Sequence, residues 1–154
     1  MGDTKMNNEK MTLELANHII KMAKLFAVSI DTKMNIAIVD DGCNLVAFER
    51  MDGAWLGSID IAIKKARTAK LFDMNTRTLE TQPGQSLYAI EHTNGGLVSF
   101  PGGVLIKNKD RIIGAIGVSG SSVKNDEDVA IAGARAMNFL VIGNALHELN
   151  NVAL

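Results

Sequence analysis

The sequence predicts an α+β domain, an antiparallel sheet covered by helices on both faces. Three features of the 154-residue chain predict it. Apolar residues recur with helical period near the start and fill almost every position of a long stretch near the end. Two pairs of short apolar runs each flank a polar turn segment with Asp, Asn or Gly, the signature of a hairpin. The elements follow one another as helix, two strands, helices, about three strands, helix.

Residues 1–10, MGDTKMNNEK, are polar and read as a flexible tail, and residues 11–154 read as one domain. Thr12 is a helix cap, followed by a helix from Leu13 to about Val28. Leu15, Ile19, Met22 and Phe26, with Ala16, Ala23 and Ala27, make a broad apolar face opposite Glu14, Asn17, Lys21 and Lys24. His18 falls at the border, on the row Met11, Leu15, Met22, Leu25. Asn35–Val39 and Asn44–Glu49 flank the turn Asp40-Asp41-Gly42 and form the first hairpin. Ser58 caps a helix to about Phe72, in which Ala62, Ala66 and Ala69 permit close packing on a sheet. Lys64, Lys65, Arg67 and Lys70 around it read as a solvated basic face.

Thr76 to His92 is interrupted by Pro83-Gly84 and reads as a short helix or turn, then a short helix over Gln85–Glu91. Asn94-Gly95-Gly96 ends it. Leu97–Phe100 reads as a short strand. The chain is organised around the next hairpin, Val104–Ile106 and Ile112–Val118 about the polar segment Lys107–Arg111. Gly114, Gly117 and Gly120 punctuate its second strand. Glycines weaken a strand, so they point to the close approach of another backbone, a subunit or a flat ligand. Pro101-Gly102-Gly103 at the hairpin's entrance points the same way. Asn125 is an N-cap, with Asp126, Glu127 and Asp128 in a first turn that suits the helix dipole. This last helix runs to about Leu149 and is apolar nearly all round from Val129 to Ile142, so it is buried on more than one side. Oligomerisation achieves that in a small domain.

Charge and motifs exclude several function classes. Sixteen basic and 17 acidic residues leave a net charge of −1 with no basic block, which argues against a nucleic-acid binder working by bulk charge. No apolar run approaches the length of a membrane span. With no signal-like segment, the chain reads as cytoplasmic. The single cysteine, Cys43, forms no internal disulfide and reads as a lone surface thiol. CxxC, HExxH, Walker A and GxSxG are all absent. Asp40 and Asp41 sit in a turn, where solvation explains them. No catalytic constellation emerges, so the chain reads as a binding protein rather than an enzyme. Among the histidines, His92 suits a helix C-terminus and His147 lies near the chain end. His18 has apolar flanks and a partly open edge, which suits a partly buried structural histidine or an axial haem ligand.

Four ordered motifs go further, VDDGxNLVAFxRMDGA, SIDIAxxKARTA, PGGV and IGAIGVSG, within a resemblance that covers about Met11 to Leu140. They resemble the GlcG/HbpS family, which includes the C-terminal domain of PduO proteins and the OrfY-type proteins. The QPGQSLY segment resembles the OrfY and PduO-like branch. The resemblance implies a profilin-like α/β/α fold with a five-stranded antiparallel sheet. It implies a homo-oligomer, tetramer or octamer, and a haem or other tetrapyrrole ligand, with a corrinoid as the second candidate. It also implies an accessory role in propanediol or glycerol utilisation and corrinoid metabolism, with association with a bacterial microcompartment as a further expectation. The chain starts directly with the family domain, so no adenosyltransferase activity is expected of it.

On this reading His18 is the axial ligand of haem iron, and Leu15 and Met22 form part of the apolar wall. Phe100, Pro101, Gly102 and Gly103 let the ring approach the central hairpin. Arg50, Lys64 and Arg67 are candidate partners of the propionates on charge alone. Two alternatives stand beside it: a ligand-free oligomeric assembly protein serving a dehydratase or a microcompartment, and an enzyme acting on a small hydroxy or keto acid.

Overall fold

The computed structural model describes residues 10–152, with side chains of the last helix described through Leu140. All of the expected tail but Lys10, and the side chain of His147, lie outside the described residues. The first helix, α1 (Leu13–Ser29), starts where Thr12 Oγ1 accepts the Leu15 amide at 3.1 Å. β1 (Asn35–Asp40) and β2 (Leu45–Arg50) form the first hairpin. Its turn is held by Asp40, whose Oδ1 accepts the amides of Gly42 and Asn44 at 3.0 and 2.8 Å. α2 (Ser58–Phe72) follows, then β3 (Gly103–Asn108), β4 (Arg111–Ser119) and α3 (Val123–Val152). The sheet runs β2-β1-β4-β3 with every neighbouring pair antiparallel.

The sheet has four strands among the described residues, not the five expected. The missing one is Leu97–Phe100, whose backbone donors are taken elsewhere. The Leu97 amide donates to the Glu91 carbonyl at 3.1 Å and the Val98 amide to Thr68 Oγ1 at 3.1 Å. Three boundaries also differ. Gly57, not Ser58, occupies the cap of α2, and Ser58 is its first residue. α3 begins at Val123, and Ser122 Oγ accepts the Asn125 amide at 3.2 Å, so Asn125 lies inside the helix rather than capping it. Gln85–Glu91 forms turns closed by a 3-10 turn at Ile90–His92, with Ala89 at φ +70°.

Side chains alternate across a strand, so each strand feeds both faces. Ile36, Ile38, Val104, Ile106, Ile116 and Val118 meet Leu15, Ile19, Ile20, Val129, Ala130 and Met137 of α1 and α3. The opposite residues, Ala37, Val39 and Ala115, meet Ala62, Ala66 and Ala69 of α2. The expected alanine stripe is therefore real, and its smallness lets helix and sheet backbones come close. At Gly117 a Cβ would stand 2.0 Å from the Ala62 carbonyl oxygen, so the backbone approach inferred from the glycines is that of α2. α3, at 30 residues, is nearly twice the length of α1, and Phe139 on it is 70% exposed.

Candidate functional site

The expected site residues divide between the two faces of the sheet. On the α1 side, His18 is half-buried, and its ring has no hydrogen-bond or ion-pair partner among the described residues. One turn on, Met22 is also half-buried, and Leu25 is 56% exposed. Leu15 is 1% exposed and belongs to the core beneath. Imidazole, thioether and isobutyl groups thus share one face of α1. A helix places residues three and four apart side by side, so this patch follows directly from the spacing.

The α2 side gathers the others. Pro101, Gly102 and Gly103 are buried, and Phe100 is 36% exposed with its ring centroid 5.0 Å from Lys65 Nζ. Lys64 pairs with Asp60 at 2.9 Å, and Arg67 is exposed on the same helix. Arg50, two residues beyond Phe48, shares that residue's side of β2, and Phe48 packs on the α2 cluster. His18, Leu15 and Met22 are therefore separated from Phe100–Gly103, Arg50, Lys64 and Arg67 by the sheet.

The largest departure from the basic-face reading of α2 is Lys65, which is wholly buried. It falls on the inward stripe, three residues after Ala62 and four before Ala69. Its ammonium donates to the Val118 carbonyl at 2.9 Å and to Asp126 Oδ2 at 2.8 Å, with the Phe100 ring as a third neighbour. Asp126 Oδ1 accepts the amides of Gly120 and Ser121 at 3.1 and 3.0 Å. Burial pushes the Lys65 ammonium below its usual range, against the attraction of Asp126. Burial likewise pushes the Asp126 carboxyl up, against Lys65 and the two amides. Each charge resists the dry interior, and each is held there by the other. Gly102, at φ +125°, belongs to this cluster: a Cβ on it would meet Lys65 Nζ at 2.6 Å. Next to Asp126, Glu127 is engaged by Arg77 through Nε at 2.8 and 2.9 Å.

Lys65 and Asp126 are the residues that sequence reasoning missed. The available signal was helical phase: a lysine in register with a buried alanine stripe. A cleft of about 490 Å³, also missed, opens at the end of the sheet between Lys33, Trp55, Ser121 and Ser122, where the RMDGA and VSG motifs meet. The Trp55 ring there is 65% exposed.

Comparison with known proteins places this geometry. A family model described as "Haem degrading protein HbpS-like" matches residues 11–135. The corrinoid adenosyltransferase PduO of Citrobacter freundii is 32% identical over 131 residues, 83% of this chain but only 39% of PduO. The Klebsiella pneumoniae protein ORFY superposes with a TM-score of 0.81 at 30% identity, covering 90% of this chain and 97% of ORFY. The protein in a PduOC:heme complex superposes with a TM-score of 0.78 at 32% identity, covering 84% and 96% of the two chains. The motifs on both faces of the sheet and the fold that joins them agree with these matches, and the chain belongs to the HbpS-like family, alongside GlcG, PduO and ORFY.

Proposed function

We propose that this protein binds haem on α1 with His18 as the axial ligand, in an accessory role tied to propanediol or glycerol utilisation. The observation that carries the reading is the half-buried His18 imidazole without a protein partner among the described residues, flanked by Met22 and Leu25. A neutral imidazole and an apolar wall are what haem iron and its macrocycle require. Family membership and the likeness to the PduOC:heme complex support it. Bound haem would supply a redox-active iron; the chain supplies the ligand atom and excludes water on one side.

The ring's second face needs a wall that α1 alone does not supply, while Lys21, exposed three residues after His18, is a cation on α1 itself. Phe100, Arg50, Lys64 and Arg67 lie on the far side of the sheet, so a second copy is the direct way to bring them to the same ligand. Exposed Leu25 and Val28 on α1, 56% and 66% exposed, favour such a contact. Those same side chains favour the second reading, an assembly subunit that carries no ligand.

Haemin titration followed by absorption, run on the protein and on His18→Ala with oligomer size checked by light scattering, separates the two. A saturable, sharp Soret band that shifts in the variant, with affinity falling at least about tenfold, is expected for loss of an axial ligand. A broad band that grows without saturation in both proteins sinks the haem reading and leaves the assembly reading.

A further inference from the structure

We propose that the groove between β3 and the outer side of α3 is a second binding site, for a small amphipathic anion: an apolar body carrying a carboxylate or phosphate group. This goes beyond the haem reading, since no residue of α1 lines the groove. Its volume, about 460 Å³, is that of a small-molecule pocket. Val104, 6% exposed, with half-buried Ile131 and Ala134, makes an apolar floor. Lys107, Lys109 and Arg135 stand exposed around it, and among the described residues none of the three forms an ion pair. Glu127, the carboxylate two turns before Arg135 on α3, is already held by Arg77. Asp110, beside Lys109 in the hairpin turn, is exposed and does not line the groove.

The edge of β3 decides the kind of occupant. The Gly103 amide donates to Thr76 Oγ1 and the Leu105 amide to Asn75 Oδ1, each at 2.9 Å. An extended peptide seeking to add a strand here finds those donors taken. Asn75 turns one acceptor site of its oxygen to the Leu105 amide and keeps both hydrogens of Nδ2 as donors beside the groove. Ammonium, guanidinium and amide N–H groups over an apolar floor are a donor-rich rim, complementary to an anion and poorly matched to a neutral or cationic ligand.

The test uses the intact protein and the fluorescence of 8-anilinonaphthalene-1-sulfonate, itself an amphipathic anion. Binding saturates, and octanoate or octyl phosphate displaces the dye while octanol at the same concentration does not. Which of the two displaces better tells carboxylate from phosphate. Lys107→Gln with Arg135→Gln, both at exposed positions, weakens dye binding about tenfold through the loss of charge-assisted bonds. Ala134→Phe, which fills the groove without changing its charge, abolishes it. Unchanged affinity in the double variant, or equal displacement by octanol, overturns the proposal.

Discussion

The two faces of the sheet are built on different principles. Under α1 and α3 the contact is made of bulk: Leu15, Ile19, Ile20, Ile36, Ile38, Ile106 and Ile116 are fully buried there. Under α2 the contact is made mostly of absence: alanines and Gly117 bring helix and strand backbones together, and beside Val39 the largest fully buried side chain there, among the described residues, is the charged Lys65. A face filled by branched aliphatic groups gives up only part of its stability to a small loss of volume, because neighbours relax part-way into the space. A face closed by backbone contact and a buried ion pair has no such slack. Of the motifs that carry the family resemblance, SIDIAxxKARTA lies on this unforgiving face, and IGAIGVSG contributes Ala115 and Gly117 to it and Ile113, Ile116 and Val118 to the other. His18 stands on the tolerant one.

Substitutions on facing positions break the comparison most directly. Gly117→Val would drive a side chain into the Ala62 carbonyl and Ala66 amide of α2, 2.0 and 2.4 Å from the new Cβ. It should cost more than about 3 kcal/mol, or abolish folding, by thermal denaturation. Its neighbour Ile116→Val, on the other face, should cost about 0.5–1.5 kcal/mol. Equal losses in the two would remove the distinction.

Next in size is the ion pair. Lys65→Met leaves Asp126 buried and unpaired and should cost about 3–5 kcal/mol in urea denaturation. Adding Asp126→Leu should recover part of that loss, since removing both charges leaves neither stranded. The recovery is incomplete, because the Gly120 and Ser121 amides lose their acceptor. A double variant that is worse than the sum of the singles would mean the pair is not the organising contact.

The smallest effect is at low pH. Glu91 is held below the usual carboxylate range by hydrogen bonds from its own backbone amide and from the Ser99 hydroxyl. Its folded pKa is depressed, so it contributes stability above the ordinary Glu pKa, and that contribution is lost as pH falls through the folded value. Ser99→Ala should shrink this acid dependence by lowering stability at neutral pH slightly, while leaving stability below the folded pKa nearly unchanged. An unaltered slope below the ordinary pKa would mean that Ser99 contributes nothing to it.

Much of the fold was legible because it rests on local pattern. The 3.6-residue period of Leu15, Ile19, Met22 and Phe26 marks α1, and the turn chemistry of Asp40 to Asn44 marks the first hairpin. Leu97–Phe100 was misread because an apolar run satisfies strand propensity without saying whether a neighbouring strand is free to pair with it; Thr68 and Glu91 intercept its amides instead. Asn125 was misread because several polar residues compete for one cap, and Ser122 holds it. Of the candidate site, the placing of His18 and Met22 on one face of α1 was legible, since one helix presents both, whereas Leu15, expected in the wall, lies in the core and exposed Leu25 stands beside them instead. The separation of that patch from Phe100 and from Arg50, Lys64 and Arg67 was not, since no local pattern records which side of a sheet a later helix takes.

By itself, then, the sequence determined the three long helices, the two hairpins, their order, the alanine stripe and the family, all properties of neighbouring residues or of matched motifs. The tertiary structure alone decided the number of strands, the burial of Lys65 against Asp126, and the division of the candidate site between two faces. Each of those is a contact between residues far apart in the chain: Lys65 and Asp126 are 61 positions apart, and Thr68 and Val98 are 30. Such contacts are set by where whole elements pack, and burial and hydrogen-bond competition settle that only when the chain closes on itself.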